Sequence, residues 1–432
     1  MMHTSCTQTK YVGGIQINEA SQEEWAKTLK ACGMNSAQVT AYAKQGMWNT
    51  DQLWWEHTDT INAIKQIRAL KSEGIHVIMV LRVALQHSYE TNGSKWHGMI
   101  YPNTKERKER WFYRYNYFVQ VWAKLCEREG VEVFAISSEL NAMNATKQIL
   151  ELPELVQYFA NEEAQLAHDL KILPFENQLK KYDLWEFGKQ VDTNINQYLL
   201  NKIESNINWT REVYHWDRPE YLTYVNKERQ SLDSNWRAVI AEVRENYRGK
   251  VTIASNFDNY HEVSYWDALD FIGINAYFAL RTMPQKPLSD EDLYLQLVQG
   301  WEGIFSDLDK FKNTHQLKDK PIFFTEIGYT PKQYATAAPW TGHGYSLLST
   351  EEFDTVLVWD AVANKPEERA MAINALYQVT KKEKIPLIGI NYWKLTSHAY
   401  HAGYEPFMLL IKEDEVDPLQ SALTQFLRRS IK

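Results

Sequence analysis

A strand-then-helix pattern repeats along the chain and limits the folds open to it more than any other feature. Eight short runs rich in β-branched and aromatic residues predict eight strands. They lie at residues 11–17, 36–41, 76–81, 131–137, 251–255, 271–276, 321–325 and 387–392. Because neighbouring parallel strands need helical crossovers, this alternation over 432 residues predicts an α/β fold, a single (β/α)8 barrel or TIM barrel.

The segments between the strands carry helix start and stop signals. Ser21 and Glu24 form a capping-box pair at the start of a predicted helix that ends before Gly33. The predicted helices are 21–31, 59–73, 105–129, 231–247, 291–312, 366–384 and 419–428. An open doubly wound sheet is the competing fold, but Gly13 and Gly14 lie at the start of the first strand and no GxGxxG motif follows.

The gap between the fourth and fifth strands is far longer than one helix needs. Residues 145–228 are therefore predicted to be an insertion within one catalytic domain, mostly helical, with breaks at Pro153, Pro174 and Pro219. The loops at the C-terminal ends of barrel strands surround the active site. We expect the insertion to lie over that face as a lid, a binding wall or a structural buttress.

Composition excludes several classes of partner. The 47 basic and 55 acidic residues give a net charge of −8, which argues against nucleic acid and anionic membranes. The sequence shows neither an apolar run of about 18 residues nor a signal peptide, and its compartment stays open. Three cysteines without a CxxC motif argue against a disulfide framework or a structural zinc site.

Aromatic residues make up 13% of the chain, and 16 of them are tryptophans. Several, such as Trp96 and Trp340, lie in polar, loop-like surroundings. Exposed aromatic faces suit the C–H faces of sugar rings, although filling a large core is an equally good use for any one of them.

Two of the predicted strands are followed by a glutamate, Glu139 after the fourth and Glu326 after the seventh. A lone glutamate there is most often a solvated residue or a helix cap. Strands three apart in a closed ring face each other across its mouth, so both carboxylates can reach one bond. Retaining glycoside hydrolysis requires such a pair, about 5–5.5 Å apart, with one carboxylate attacking the anomeric carbon and the other protonating the leaving oxygen.

Short motifs around the strand ends carry a resemblance to a known family. They are Lys-Trp-His-Gly-Met-Ile-Tyr-Pro at 95–102, Ile-Ser-Ser-Glu-Leu at 136–140, Asn-Phe-Asp-Asn-Tyr at 256–260, the segment 269–278, Phe-Thr-Glu-Ile-Gly-Tyr at 324–329, Ala-Pro-Trp at 338–340 and Tyr-Trp at 392–393. In this order and spacing they resemble glycoside hydrolase family 113, retaining β-mannanases with a (β/α)8 barrel in clan A. The resemblance covers nearly the whole chain apart from the insertion.

The resemblance implies a role for each matching residue. Glu326 would be the nucleophile and Glu139 the acid/base, Tyr277 would orient Glu326, and Trp393 would form the floor beneath the sugar. Strand parity agrees, because Asn275 and Tyr277 fall on one face. The further predicted sugar contacts are Arg82, Trp96, Asn256, Asn275, Tyr329 and Trp340. The chemistry requires no metal or organic cofactor, and the predicted partner is a carbohydrate, with β-1,4-mannan favoured.

Other interpretations stay open at this point. The pattern departs from the family at Ser137, Ser138 and Ala84, which leaves room for a different β-glycan. Transglycosylation uses the same residues, and a carbohydrate-binding barrel without catalysis would keep the aromatic floor. A metal-dependent hydrolase is disfavoured because no His-x-His motif ends the first strand. The sequence leaves endo against exo action and the oligomeric state undetermined.

Overall fold

Eight parallel strands form a closed ring at the centre of the molecule. They are β1 (Tyr11–Gln16), β2 (Ser36–Gln45), β3 (His76–Leu85), β4 (Val133–Ser138), β5 (Lys250–Asn256), β6 (Ile272–Asn275), β7 (Ile322–Ile327) and β8 (Leu387–Thr396). Each strand pairs with its sequence neighbours, and β1 pairs with both β2 and β8, which closes the ring. The predicted (β/α)8 barrel is thus confirmed.

The structure is a computed structural model. It describes residues 10–152, 154–182, 185–186, 189–190, 194–283, 288–349, 354–383, 385–403, 405–414 and 417–428. Cys32 and Cys126 are buried free thiols, whereas Cys6 lies outside the described residues. Within the described ranges, no helix has the length and apolar character needed to span a membrane.

In the part of the chain that the structure describes, seven helices surround the ring. They are α1 (Gln22–Ala31), α2 (His57–Ser72), α3 (Lys105–Glu129), α4 (Tyr221–Asn246), α5 (Asp290–Thr314), α6 (Pro366–Lys382) and α7 (Pro418–Arg428). The predicted cap of α1 is present, since the Ser21 side chain accepts a hydrogen bond from the Glu24 amide at 3.2 Å. Residues 257–271, between β5 and β6, contain two short 3-10 turns in place of a helix.

Helix α4 begins at Tyr221, whereas the sequence predicted a start at residue 231. The buried side chains of Val225, Arg229, Leu232 and Trp236 recur every three to four residues, so the helical stripe that packs on the barrel extends further toward the N-terminus. Residues 221–228, which the prediction placed in the insertion, are therefore part of this helix.

Between β4 and α4 the described chain is mostly helical. Its helices are Asn141–Asn144, Glu154–Ala160, Glu162–Asp169, Glu176–Leu179 and Ile195–Tyr214, with a 3-10 segment at Leu170–Phe175. The Trp209 indole donates to the Met99 carbonyl at 2.8 Å, and the Lys95 ammonium donates to the Ser205 hydroxyl at 2.8 Å. These contacts fix the longest of the helices to the loop that follows β3.

Two hydrophobic layers hold the barrel together. Side chains inside the ring form a compact cluster of Tyr11, Ile78, Val80, Val133, Ala135, Ala254, Phe271, Phe323 and Ile388. A second, larger cluster fills the space between the ring and the helices. Because alternate residues of a strand share a face, Arg82 lies on the same side of β3 as the inward Ile78 and Val80. The interior therefore changes from apolar to polar toward the C-terminal ends of the strands.

Candidate active site

The two glutamates lie where the hydrogen-bonded pairing of neighbouring barrel strands is irregular. The pairing of β4 with β5 shifts between Ala135 and Ser138, and the pairing of β7 with β6 shifts between Phe324 and Glu326. Glu139 follows β4 with φ of 51°, in the left-handed region that residues other than glycine seldom adopt. Such irregularities redirect side chains relative to a regular strand, and here they occur at the mouth of the barrel.

Glu326 lies in a closed, polar environment made by neighbouring strands. Its side chain is 2% exposed and forms an ion pair with the Arg82 guanidinium. The Tyr277 hydroxyl donates to Oε2 of Glu326 at 3.0 Å. Burial, reinforced by the negative charge of Glu139, holds the pKa of Tyr277 well above its ordinary value. The phenol therefore stays protonated and remains a donor to the carboxylate.

Glu139 has a different partner, a histidine from the loop after β3. Nε2 of His97 lies 3.0 Å from Oε2 of Glu139, whose side chain is 13% exposed. Burial acts to raise the pKa of Glu139, but the hydrogen bond and charge of His97, together with Arg82 and Asn275, outweigh it and bring the pKa to about 2. Glu139 is therefore an ionised carboxylate in the free protein at neutral pH.

A buried hydrogen-bond relay connects the residues beside the two carboxylates. The Thr325 hydroxyl donates to Oδ1 of Asn275 at 2.8 Å, and Nδ2 of Asn275 donates to the Ser138 hydroxyl at 3.4 Å. Asn275 is fully buried, and its side chain links β4 with β7 and also helps to lower the pKa of Glu139.

Trp393 on β8 is half-buried and lies close to two cations. The Arg82 guanidinium is 4.9 Å from the centre of its ring and the Lys394 ammonium 4.2 Å. Lys394 also pairs with Glu405 at 3.5 Å. Burial lowers the pKa of Lys394 and the charge of Arg82 lowers it further, while Glu405 opposes the change. Arg82 thus contacts both Glu326 and the indole that the sequence predicts to be the floor of the sugar site.

The other predicted sugar contacts fall into three places. The Trp96 ring lies 5.0 Å from the ring of His97, next to Glu139. Asn256 accepts a hydrogen bond from the Phe257 amide at 3.0 Å, and the Phe257 ring stacks on Trp340. Tyr329 is fully buried behind β8, where its carbonyl accepts a hydrogen bond from the Tyr392 hydroxyl at 2.8 Å.

Three residues at the mouth had no role in the sequence prediction. His97 lies in the quoted motif at 95–102, so the only signal for it was its place beside Trp96. Lys394 follows the predicted floor residue directly. Glu405 comes from the loop after β8, and nothing in its local sequence marks it.

Comparison with known proteins shows which family the chain resembles. The sequence model of Glycoside Hydrolase Family 113 matches residues 223–358. This segment contains Asn256, Tyr277, Glu326 and Trp340. No curated protein matches the chain. The match confirms the predicted resemblance to family 113 and the prediction of a glycoside hydrolase, for which a carbohydrate is the substrate.

Solved structures support the same fold. A β-mannanase of family 113 from Alicyclobacillus acidocaldarius, in complex with ManMIm, is 14% identical with a TM-score of 0.57 and covers 99% of this chain and 100% of its own. Two further structures of a family 113 β-1,4-mannanase, one of them a complex, are each 16% identical, with TM-scores of 0.56 and 0.55 over 98% of this chain and 100% of theirs. At these identities the likeness establishes the barrel fold alone.

Proposed function

We propose that this glycoside hydrolase cleaves β-1,4-linked mannan or manno-oligosaccharides with retention of configuration at the anomeric carbon. The observation that carries the proposal is the pair of carboxylates at one mouth, each with its own kind of partner. Glu326 is held by a permanent cation and a phenol, and Glu139 by a histidine. Two carboxylates in unlike environments are what a nucleophile and an acid/base require.

In the first step, Glu326 attacks the anomeric carbon while the bond to the leaving oxygen breaks and that oxygen takes a proton from Glu139. The hydrogen bond from Tyr277 fixes Oε2 of Glu326, and the ion pair with Arg82 orients Oε1. The charge of Arg82 favours the ionised form of Glu326 until the covalent bond to the sugar forms.

The proton for this step is held by Glu139 and His97 together. Glu139 alone, with a pKa of about 2, is ionised at neutral pH. His97 lies within hydrogen-bond distance and can pass a proton to the carboxylate as negative charge develops on the leaving oxygen. In the second step Glu139 accepts a proton from water, which attacks the anomeric carbon and releases Glu326, and Glu139 returns that proton to His97.

The assignment of mannan as the substrate rests on similarity to family 113. The motifs at the strand ends resemble those of family 113, and the compared structures are described as β-mannanases and β-1,4-mannanases. Trp393 supplies an apolar face of the kind on which a sugar ring stacks, and Arg82 and the Lys394–Glu405 pair supply polar groups beside it.

Product analysis tests the proposal. Wild-type protein and Glu326→Ala are incubated with β-1,4-manno-oligosaccharides and a panel of other β-linked glycans, and NMR records the anomer first released. We expect the wild type alone to cleave mannosides and to release the β anomer. An α anomer would overturn the retaining mechanism, cleavage of another glycan alone would overturn the substrate, and binding without cleavage would favour a non-catalytic barrel.

A further inference from the structure

A cavity of about 300 Å³ lies between the segment that follows β4 and the loop that follows β7. One wall is formed by His168, Asp169 and Lys202 from the segment after β4. The opposite wall is formed by Trp340, Thr341 and Ser346 from the loop after β7. The cavity is therefore bounded by two connecting segments that begin at the C-terminal ends of different strands.

The aromatic wall of this cavity connects to the catalytic residues. The Trp340 ring stacks on Phe257 with their centres 5.7 Å apart and their planes 10° apart. Phe257 in turn packs at 5.8 Å against Phe278, the residue after Tyr277. The side chain of Trp340 is nevertheless 49% exposed. A tryptophan supported on one face and open on the other is the usual platform for a sugar ring.

Polar groups around the platform are already held in place. The Asp169 carboxylate contacts the Tyr158 hydroxyl at 3.2 Å and Nδ1 of His168 at 2.9 Å. The hydroxyls of Thr341 and Ser346 lie 2.7 Å apart. Sugar recognition combines an aromatic face with a few fixed donors and acceptors, and this cavity offers both.

The packing beneath the cavity ties its two walls together. Leu199 of one wall, together with Ile195 on the same helix, forms a hydrophobic cluster with Val356 and Val358 of the hairpin that follows β7. This hairpin consists of strands Tyr345–Ser349 and Asp354–Val358, and the first of them carries Ser346. Because ligand sites on rigid elements lose less entropy on binding, a wall anchored in this way suits recognition of an extended substrate.

The order of strands in the ring determines which end of a substrate would reach this cavity. Phe257 and Phe278 follow β5 and β6, which lie between β4 and β7 on one side of the two carboxylates. Trp393 on β8 and Arg82 on β3 lie on the other side. If the sugar that becomes attached to Glu326 rests on Trp393, the leaving portion extends over β5 and β6 toward Trp340.

We infer that the cavity bounded by Trp340, Asp169 and Lys202 is an outer subsite that binds a sugar unit of the leaving portion of the substrate. This inference rests on the proposed function and adds that the segment after β4 is a binding wall. The occupant is a neutral hexose of a β-linked chain, stacked on Trp340 with its hydroxyls facing Asp169 and Lys202. The same subsite would hold the acceptor sugar in any transfer reaction.

Kinetics as a function of chain length provide the test. Trp340→Ala and Lys202→Ala are compared with wild type on an aryl β-mannoside and on mannohexaose. Tyr113→Ala serves as the matched control, because Tyr113 is a highly exposed aromatic residue on the outer helix α3. For Trp340→Ala we expect kcat/KM on mannohexaose to fall about three- to tenfold, with the aryl mannoside unaffected. A smaller loss of the same kind is expected for Lys202→Ala.

Binding measurements test the subsite independently of catalysis. Calorimetry with mannohexaose is carried out on Glu326→Gln protein with and without Trp340→Ala, so that no turnover is needed. Weaker binding in the double variant supports the subsite, whether or not the wild type cleaves mannosides. A wild type that cleaves no mannoside would count against the proposed function alone. Unchanged binding, or equal losses on short and long substrates, would overturn the subsite while leaving the catalytic proposal intact.

Discussion

The surroundings of Glu326 and of Glu139 differ although both glutamates end parallel strands of one barrel. Glu326 is almost completely buried, and its partners Arg82 and Tyr277 come from β3 and the end of β6. Glu139 is more exposed, and its partner His97 begins a 3-10 turn in the loop after β3. One carboxylate is thus held by the barrel framework and the other by a connecting segment.

This difference matches the chemistry proposed for each residue. An arginine stays charged at any working pH and a buried phenol stays protonated, so neither partner of Glu326 changes its state during turnover. Histidine is the side-chain type whose charge changes most readily near neutrality. A nucleophile needs constant ionisation, whereas an acid/base must gain and lose a proton in each cycle. The four predictions that follow test this contrast.

The largest expected effect is that of Glu326→Ala. Removing the nucleophile should lower turnover by roughly 10⁴- to 10⁶-fold, the scale on which loss of a nucleophile or its base acts. With an activated aryl mannoside and added azide, the small anion should take the place of the carboxylate and give the α-mannosyl azide, detected by NMR. Retention of full activity in this variant would overturn the assignment of Glu326.

Glu139→Ala should show the opposite stereochemical result. Cleavage of unactivated mannosides should fall by roughly 10²- to 10⁴-fold, the usual contribution of a general acid. Aryl mannosides whose leaving group needs no proton should react much faster, and azide should give the β-mannosyl azide by attack on the glycosyl-enzyme. If both substrate types lose activity equally, Glu139 is not the acid/base.

Tyr277→Phe removes one donor from Glu326 without changing the shape of the site. A hydrogen bond to a charged group contributes about 1.5–3 kcal/mol, so we expect kcat to fall roughly 10- to 100-fold, with little change in KM. Steady-state kinetics on mannohexaose measure this, and thermal unfolding checks that the barrel is intact. An unchanged kcat would show that the 3.0 Å contact does not serve catalysis.

The smallest expected effect is that of His97→Ala, a shift in the pKa of Glu139. Burial raises the pKa of Glu139, and in the wild type His97, Arg82 and Asn275 together outweigh it, so without His97 the pKa of Glu139 should rise from about 2 toward the ordinary carboxyl value. Isotope-edited infrared or NMR titration of Glu139 measures this directly.

The lowered pKa of Glu139 also makes the stability of the folded protein depend on pH. A depressed folded-state pKa stabilises the protein above the unfolded value of about 4.3, and this contribution is lost as the pH falls toward 2. His97→Ala should show less of this loss, which urea unfolding at a series of acidic pH values would detect. A variant in which the pKa of Glu139 stays near 2 would show that His97 is not the cause.

Much of the architecture is determined by local sequence patterns. The eight strands and the closing of the ring follow from the alternation of β-rich and amphipathic segments, because periodicity and helix caps depend on neighbours in the chain. The same patterns placed Glu139 and Glu326 at strand ends and Asn275 with Tyr277 on one face. Where local signals were weak, as at the start of α4, the boundary was wrong.

Tertiary structure decided how these residues act on one another. The contact of His97 with Glu139, the relay through Asn275 and the stacking of Trp340 on Phe257 each join segments far apart in the sequence. The shifts in strand register before both glutamates depend on pairing with neighbouring strands, which no single segment specifies. The sequence by itself therefore determined the barrel and the positions of the two carboxyl groups proposed as catalytic, whereas the partner, burial and protonation of each carboxyl group depend on closing the ring.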